Sequence, residues 1–250
     1  HPDERAILMK GGDMHTPSLP QLGQLLDPEI SPLNPRWFPY GSFPLYLLKF
    51  AGEALGKIRE PLTLAGTAIL GRSLSAILDT LSVLVVYLLG SRLYSRKVGL
   101  LGAVLTAFAV LHIQLSHFYA VETVMTLFVL LTLLFLWRLM ERGSAWSAIL
   151  AGVFLGLALA TKVSAAPLLL TATGAGLLFI FKGDGGSLGI APQAKGRVLR
   201  GIWLILLTCA FAFLAFAIAQ PYAFLDWRRF LADGHGSLDG GRWLKLEPVH

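Results

Sequence analysis

Apolar residues in this chain of 250 residues gather into six runs that follow a mixed first part. The runs lie at roughly 73–90, 98–114, 121–139, 147–161, 164–181 and 201–220. Most approach the roughly 20 residues that a helix needs to cross a bilayer, so the pattern predicts an all-α polytopic membrane protein with about six transmembrane helices. The fourth run is only about 22 Å long as a helix. The fourth and fifth runs therefore also fit a single long helix that is broken around Thr161-Lys162.

Polar stretches divide the chain into three parts. Residues 1–70 form a first loop segment with juxtamembrane helices, residues 71–220 form the transmembrane bundle, and residues 221–250 form a second polar segment. Lys and Arg concentrate in alternate short connections, at 91–97, 140–146 and 182–200, which the positive-inside rule assigns to the cytoplasm. Because six spans is an even number, the first and last segments are expected to share the outer face.

Composition supports the membrane interpretation. Hydrophobic residues make up 55% of the chain and charged residues 14%, compared with about 25% charged residues in an ordinary soluble domain. The net charge of +6 comes mostly from basic residues that flank apolar runs, so it indicates topology and not nucleic-acid binding. The first residue is His1, and we expect the sequence to be a piece of a longer protein.

Acidic residues stand at two places on the expected outer face. Asp3 and Glu4 fit the start of a helix, where acids complement the helix dipole, and they also fit a general base or a metal ligand. Glu122 begins the third run, where a carboxylate at the hydrocarbon boundary is costly without water or a partner. A helix cap and a functional acid are equally compatible with Glu122. His117, nearby, is typical of a hydrogen-bonded interfacial side chain.

Two charged residues interrupt the apolar runs. Lys162 lies at the predicted outer turn between the fourth and fifth runs, where it can extend towards the lipid headgroups or bind a phosphate. Asp79 lies about a third of the way into the bilayer, and we expect it to hydrogen-bond another helix.

Aromatic residues and prolines cluster in two outer segments. Residues 34–44 include Tyr40, and residues 220–227 include Tyr222. Such segments are typical of a membrane interface and also line sugar sites, so both tyrosines are candidates for substrate binding.

Several short motifs, taken in order, resemble a known family. They are His1-Pro2-Asp3-Glu4, Asn34-Pro35 to Tyr46, Arg72 to Ala76, His117 to Thr123, Ala160-Thr161-Lys162 and Pro221-Tyr222-Ala223. Together they resemble the GT-C membrane glycosyltransferases, and among these the protein O-mannosyltransferase and aminoarabinose transferase group. The resemblance implies transfer of a sugar from a polyprenyl-phosphate donor to an acceptor protein, lipid or glycan, outside the cell membrane.

The resemblance also implies roles for residues. The family's Asp-Glu motif falls on Asp3 and Glu4, close after a helix that would precede His1. The motif makes Asp3 the expected base, and it makes the adjacent Glu4 the expected ligand of a metal or the acceptor. Many relatives have Asp where this chain has Glu122.

A cation near the donor phosphate is a further expectation from the family. Arg5, Lys162 or a divalent metal held by Glu4 and Glu122 would serve, with His117, Tyr40 and Tyr222 as further substrate-binding residues. A transporter or flippase of a lipid-linked or small polar substrate is the alternative.

Overall fold

A computed structural model describes residues 2–56, 63–181 and 192–238, which contain helices and no strands. The helices are α1 Pro2–Asp13, α2 Phe43–Gly56, α3 Leu64–Leu93, α4 Arg96–Ala107, α5 Val110–Ser116, α6 Val121–Arg142, α7 Ala145–Thr161, α8 Leu168–Phe181, α9 Pro192–Ala219, α10 Tyr222–Leu225 and α11 Trp227–Leu238. Short 3-10 helices cover Leu19–Leu26 and Val163–Ala165. The all-α polytopic class is thereby confirmed.

Each of the six apolar runs forms helix, but they differ in length. Four stretches are long and apolar enough to cross a membrane: Leu64–Leu93, Val121–Arg142, Val163–Phe181 and Gly196–Ala219. The second run is bent by 59° between α4 and α5, and would be a fifth span if the pair crosses together. Helix α7 has 17 residues and is about 25 Å long. The count of six spans therefore stays a prediction.

The first span begins earlier than its apolar run suggests. Helix α3 starts at Leu64 and not near residue 73, and the Thr63 hydroxyl caps it by accepting a hydrogen bond of 3.2 Å from the Gly66 N–H. The predicted boundary at residue 70 thus falls inside a helix. Arg72 and Ser73, in the third turn of α3, interrupt the apolar pattern and hide the start of the helix.

Helices α7 and α8 are two antiparallel helices and not one broken helix. Lys162 is extended, with φ −159° and ψ 128°, and the chain turns back there. The end of α8 returns to the start of α7, since a Cβ added to Gly143 would lie 2.4 Å from the Phe179 ring. The structure therefore favours separate fourth and fifth apolar helices.

Small residues bring α7 and α9 into close contact. A Cβ added to Gly152 would lie 2.4 Å from the Thr208 carbonyl oxygen, and one added to Gly156 would lie 2.3 Å from that of Ala212. Two glycines four residues apart let helix backbones approach closely in a bilayer. This contact forms the centre of the bundle.

Several polar side chains inside the apolar helices have hydrogen-bond partners within the protein. The Thr132 and Thr208 hydroxyls each donate to a carbonyl four residues earlier, which satisfies them without water. Asp79 Oδ1 hydrogen-bonds His112 Nδ1 on α5 over 2.7 Å, so the predicted bond from Asp79 to another helix is confirmed.

The polar first and last segments meet at one end of the bundle. Asn34 donates to Asp226 over 3.0 Å, and the Phe38 N–H donates to Asp233 over 2.9 Å. Below them, α1 and α2 share an apolar core with the fully buried Tyr119. Residues far apart in the sequence are therefore held together at this end.

Candidate functional site

Glu4 is held at the base of the first segment by three hydrogen bonds. Arg72 on α3 donates from Nε to Glu4 Oε1 and from a terminal nitrogen to Oε2, each over 2.9 Å. The Tyr119 N–H also donates to Oε1, over 3.2 Å. Glu4 is only 4% exposed. A bidentate arginine pair of this kind fixes orientation as well as charge.

The charge of Glu4 is stabilised by its partners. The hydrogen bond from Arg72 lowers the pKa of Glu4, against the opposing effect of burial, and the Tyr119 N–H lowers it further. Arg72 also lies over the Phe118 ring, 5.7 Å from its centroid. A carboxylate held in this way is a weak base, so these contacts suit a residue that positions α1.

Lys162 and Glu122 form a second pair between α6 and the turn after α7. Lys162 Nζ lies 2.9 Å from Glu122 Oε1, and also 5.5 Å from the centroid of the Tyr40 ring. The two side chains are 32% and 33% exposed. Three residues proposed from the sequence thus meet, and water or a ligand has access to them.

Tyr40 reaches this pair because its neighbour Gly41 docks on the α7 turn. The Gly41 N–H donates to the Thr161 carbonyl over 2.9 Å. A Cβ at Gly41 would lie 1.7 Å from the Ala160 carbonyl oxygen, so a side chain would not fit. The loop before α2 is thereby placed against Lys162.

An apolar cavity begins next to this turn, between α2, α7 and α9. Its volume is about 700 Å³, within the range of about 300–1,000 Å³ of ligand sites. Phe43 follows Gly41 by two residues, and Leu157 precedes Thr161 by one helical turn; both line it. The other lining residues are Tyr46, Leu47, Phe50, Ala51, Val153, Phe211, Leu214, Ala215, Ile218 and Ala219. The size and the apolar lining of this cavity suit an apolar chain.

The other candidate residues have different surroundings. Asp3 lies in the first turn of α1, and its side chain is outside the described part of the structure. Arg5 and His117 are exposed, and His117 Nδ1 hydrogen-bonds the Ile113 carbonyl over 2.6 Å. Tyr222 is buried, and its hydroxyl bonds Ser31 and the Leu25 carbonyl. Its contacts join the first and last segments.

The divalent metal predicted at Glu4 and Glu122 stays a prediction. Within residues 2–56, 63–181 and 192–238, no three His, Cys, Asp or Glu side chains come together. Each of the two acids instead faces a cation, Arg72 or Lys162. The described residues therefore supply charge compensation from protein cations.

Arg72 is the residue whose role the sequence did not reveal. In the sequence, Arg72 is a cation near the start of an apolar run and the first residue of the motif Arg72 to Ala76, and neither feature indicates a partner. Its partner Glu4 lies 68 residues away, a separation at which no helical periodicity applies.

A multi-pass helical bundle that gathers acids and cations at one end fits the GT-C class of membrane glycosyltransferases. The family model described as dolichyl-phosphate-mannose-protein mannosyltransferase matches residues 66–218, more than half of the chain. The chain belongs to this family. No curated protein and no solved structure matches the chain. The matched range contains Arg72, Glu122 and Lys162, and it begins after Asp3 and Glu4.

Proposed function

We propose that this protein transfers a sugar from a polyprenyl-phosphate donor to an acceptor hydroxyl, on the extracytoplasmic face of the cell membrane. The observation that carries the proposal is the Lys162–Glu122 pair beside Tyr40. In sequence, Tyr40 and Lys162 lie three and five residues from Phe43 and Leu157, which line an apolar cavity. A lipid-linked anionic donor needs this combination of a cation and an apolar cavity. Family membership supports sugar transfer over transport by a flippase.

In this proposal the polyprenyl chain and the phosphate of the donor bind at two adjacent places. The polyprenyl chain occupies the cavity between α2, α7 and α9, where burial of apolar surface favours it. The phosphate meets Lys162, whose ammonium group carries three N–H donors and shares one with Glu122. Glu122 keeps the ammonium in place before the donor arrives, and Tyr40 covers it.

Transfer then needs a base and stabilisation of the leaving group. The acceptor hydroxyl gives its proton to the Asp3 carboxylate, and its oxygen forms a bond to the anomeric carbon of the sugar. The bond between that carbon and the phosphate oxygen breaks, and polyprenyl phosphate leaves with the electron pair. Lys162 stabilises the charge that develops on the phosphate. Glu4, fixed by Arg72, holds the turn of α1 that carries Asp3.

The outer orientation has a direct test. Gly11 lies in α1 and Gly196 near the start of α9, and a Cβ at either would meet nothing within 4 Å. In a chain with Cys209→Ser, Gly11→Cys should react with an impermeant thiol reagent in intact cells. Gly196→Cys should react only after permeabilisation. The reverse pattern would contradict the orientation.

The reaction is tested with the full-length protein in lipid nanodiscs. Polyprenyl-phosphate sugars are supplied with hydroxyl acceptors, and glycosylated product and released polyprenyl phosphate are measured together. We expect the two to appear in equal amounts. Movement of intact donor between the leaflets of proteoliposomes, without release of sugar, would instead support a flippase.

A further inference from the structure

A fully buried side-chain amide lies just after the end of α9. Gln220 is 0% exposed, and its Nε2 and Oε1 have no hydrogen-bond partner among residues 2–56, 63–181 and 192–238. Its backbone, by contrast, is paired, since its N–H donates to the Phe216 carbonyl over 2.8 Å and its carbonyl accepts from the Ala223 N–H over 3.2 Å. Buried polar groups are nearly always hydrogen-bonded, so this amide suits a group that is kept for a ligand.

The amide lies against the loop before α2. A Cβ added to Gly41 would lie 3.0 Å from Gln220 Oε1 and 1.7 Å from the Ala160 carbonyl oxygen. The Gly41 N–H also donates to the Thr161 carbonyl over 2.9 Å. One loop residue therefore contacts both the Gln220 amide and the end of α7, where the next residue is Lys162.

The amide also follows the wall of the apolar cavity. Ile218 and Ala219, which directly precede Gln220, line that cavity, and so does Phe43, two residues after Gly41. In a polyprenyl-phosphate sugar the phosphate joins the apolar chain to the sugar. A donor with its chain in the cavity and its phosphate at the end of α7 therefore brings the sugar to this part of the structure.

The loop that covers the amide is fastened at two places. The Phe38 N–H donates to Asp233 over 2.9 Å, and Gly41 bonds Thr161 as described. Arg36, earlier in the loop, has φ 49°, and residues in such sparsely populated conformations cluster at ligand clamps and other functional sites. Because the amide is fully buried, a ligand reaches it only when the Gly41 end of the loop moves away from α7.

We propose that Gln220 recognises the sugar of the donor, by hydrogen-bonding two of its hydroxyls after Gly41 moves aside. A primary amide offers two N–H donors and a carbonyl acceptor, and each sugar hydroxyl both donates and accepts. The inference deepens the proposed sugar transfer and rests on it. Gln220 and Gly41 both lie outside residues 66–218, so the family match assigns neither residue. A site built to bind hydroxyls discriminates strongly against analogues that lack them, which makes Gln220 a specificity-determining residue.

Binding to the full-length protein in nanodiscs tests this role. Fluorescent polyprenyl phosphates carrying mannose, glucose or aminoarabinose are compared with the same lipid phosphate without a sugar. Gln220→Met keeps an unbranched side chain and removes the amide. It should weaken binding of the preferred sugar-bearing lipid about tenfold and leave binding of the sugar-free lipid unchanged. Gln114→Met, at an exposed position on α5, is the matched control and should change neither.

Thermal unfolding separates recognition from a structural role. Removing a buried amide that has no protein partner should leave Tm unchanged or raise it. A lower Tm in Gln220→Met, with equal losses for the sugar-bearing and sugar-free lipids, would overturn the inference and make the amide structural.

Donors that lack one hydroxyl provide a double-mutant cycle with Gln220. In the unchanged protein, removal of the recognised hydroxyl should weaken binding about tenfold, and in Gln220→Met the same removal should cost nothing further. Independent, additive losses would overturn the inference, as would equal binding of all four lipids by the unchanged protein. If the sugar preference depends on Gln220 but no sugar is transferred, the proposed transfer fails while the sugar site stands.

Discussion

Replacing Lys162 by Met tests the cation proposed for the donor phosphate. The change keeps an unbranched side chain and removes the ammonium group that lies 2.9 Å from Glu122 and beside the Tyr40 ring. It leaves the Glu122 carboxylate without that partner. Since Glu122 is 33% exposed, water can solvate the remaining charge, and we expect the variant to fold.

The expected loss of donor affinity follows from the exposure of the pair. Two unit charges about 4 Å apart near a protein surface interact by about 4 kcal/mol before solvation is counted. A charge-assisted hydrogen bond contributes about 1.5–3 kcal/mol net. The dissociation constant for the donor should therefore rise by about 10- to 150-fold in Lys162→Met.

The Glu122→Gln change is the control that separates the loss of the Lys162 charge from the repulsion by the Glu122 charge. In Lys162→Met the unpaired Glu122 carboxylate also repels the phosphate, whereas Glu122→Gln removes that repulsion at nearly constant size. The double variant should therefore bind donor more tightly than Lys162→Met alone.

Binding to nanodisc-held protein can be measured with a fluorescent polyprenyl-phosphate analogue, with thermal unfolding as the check on folding. A dissociation constant within twofold of the unchanged protein in Lys162→Met would refute the assignment and leave Lys162 as an interfacial side chain.

Three further changes test the acids and the docked loop. Asp3→Asn should slow transfer by about 10²- to 10⁴-fold with donor affinity retained; near-normal turnover would remove Asp3 as the base. Glu4→Gln should destabilise the fold at neutral pH by about 1–2 kcal/mol. Because Arg72 lowers the pKa of Glu4 below its ordinary value of 4.5, this contribution is present above that pH and is lost as the pH falls through the lowered value. The difference in Tm between the two proteins should therefore shrink in acid, and a constant difference would contradict the pair. Gly41→Ala should lower Tm and weaken donor binding, because the new Cβ would overlap the Ala160 carbonyl, whereas Gly23→Ala, which meets nothing within 4 Å, should change neither in the same assays.

The helices were predictable because apolar runs of span length have few alternatives in a bilayer. The hydrogen bond from Asp79 to another helix was also predictable, because a carboxylate within a span needs a hydrogen-bonding partner. The bend between α4 and α5 was not predictable, because no Pro or Gly lies at Phe108-Ala109. The early start of α3 was hidden by Arg72 and Ser73, which interrupt the apolar pattern in its third turn.

The candidate site was predictable as a set of residues but not as a set of pairs. Loop charges and an even span count placed Glu122, Lys162 and Tyr40 on one expected face, and the structure brings these three together. The pairing of Glu4 with Arg72 depends on how α1 packs on α3, which periodicity does not encode. Tyr222 shows the opposite case: its aromatic setting suggested a substrate, while its hydroxyl bonds Ser31.

The two ion pairs are coupled through one short segment of chain. Glu4 accepts a hydrogen bond from the Tyr119 N–H, and Glu122, three residues later, holds Lys162. Tyr119 cannot shift easily, because its ring fills the space beside Gly71, and its hydroxyl donates to the Pro44 carbonyl over 2.8 Å. The position of α1 at the proposed acceptor side is therefore set by the same buried residue that leads into the donor side. In the proposed transfer, rigid coupling of this kind would hold the base at a fixed distance from the leaving group, and such positioning supplies much of the rate of a two-substrate reaction.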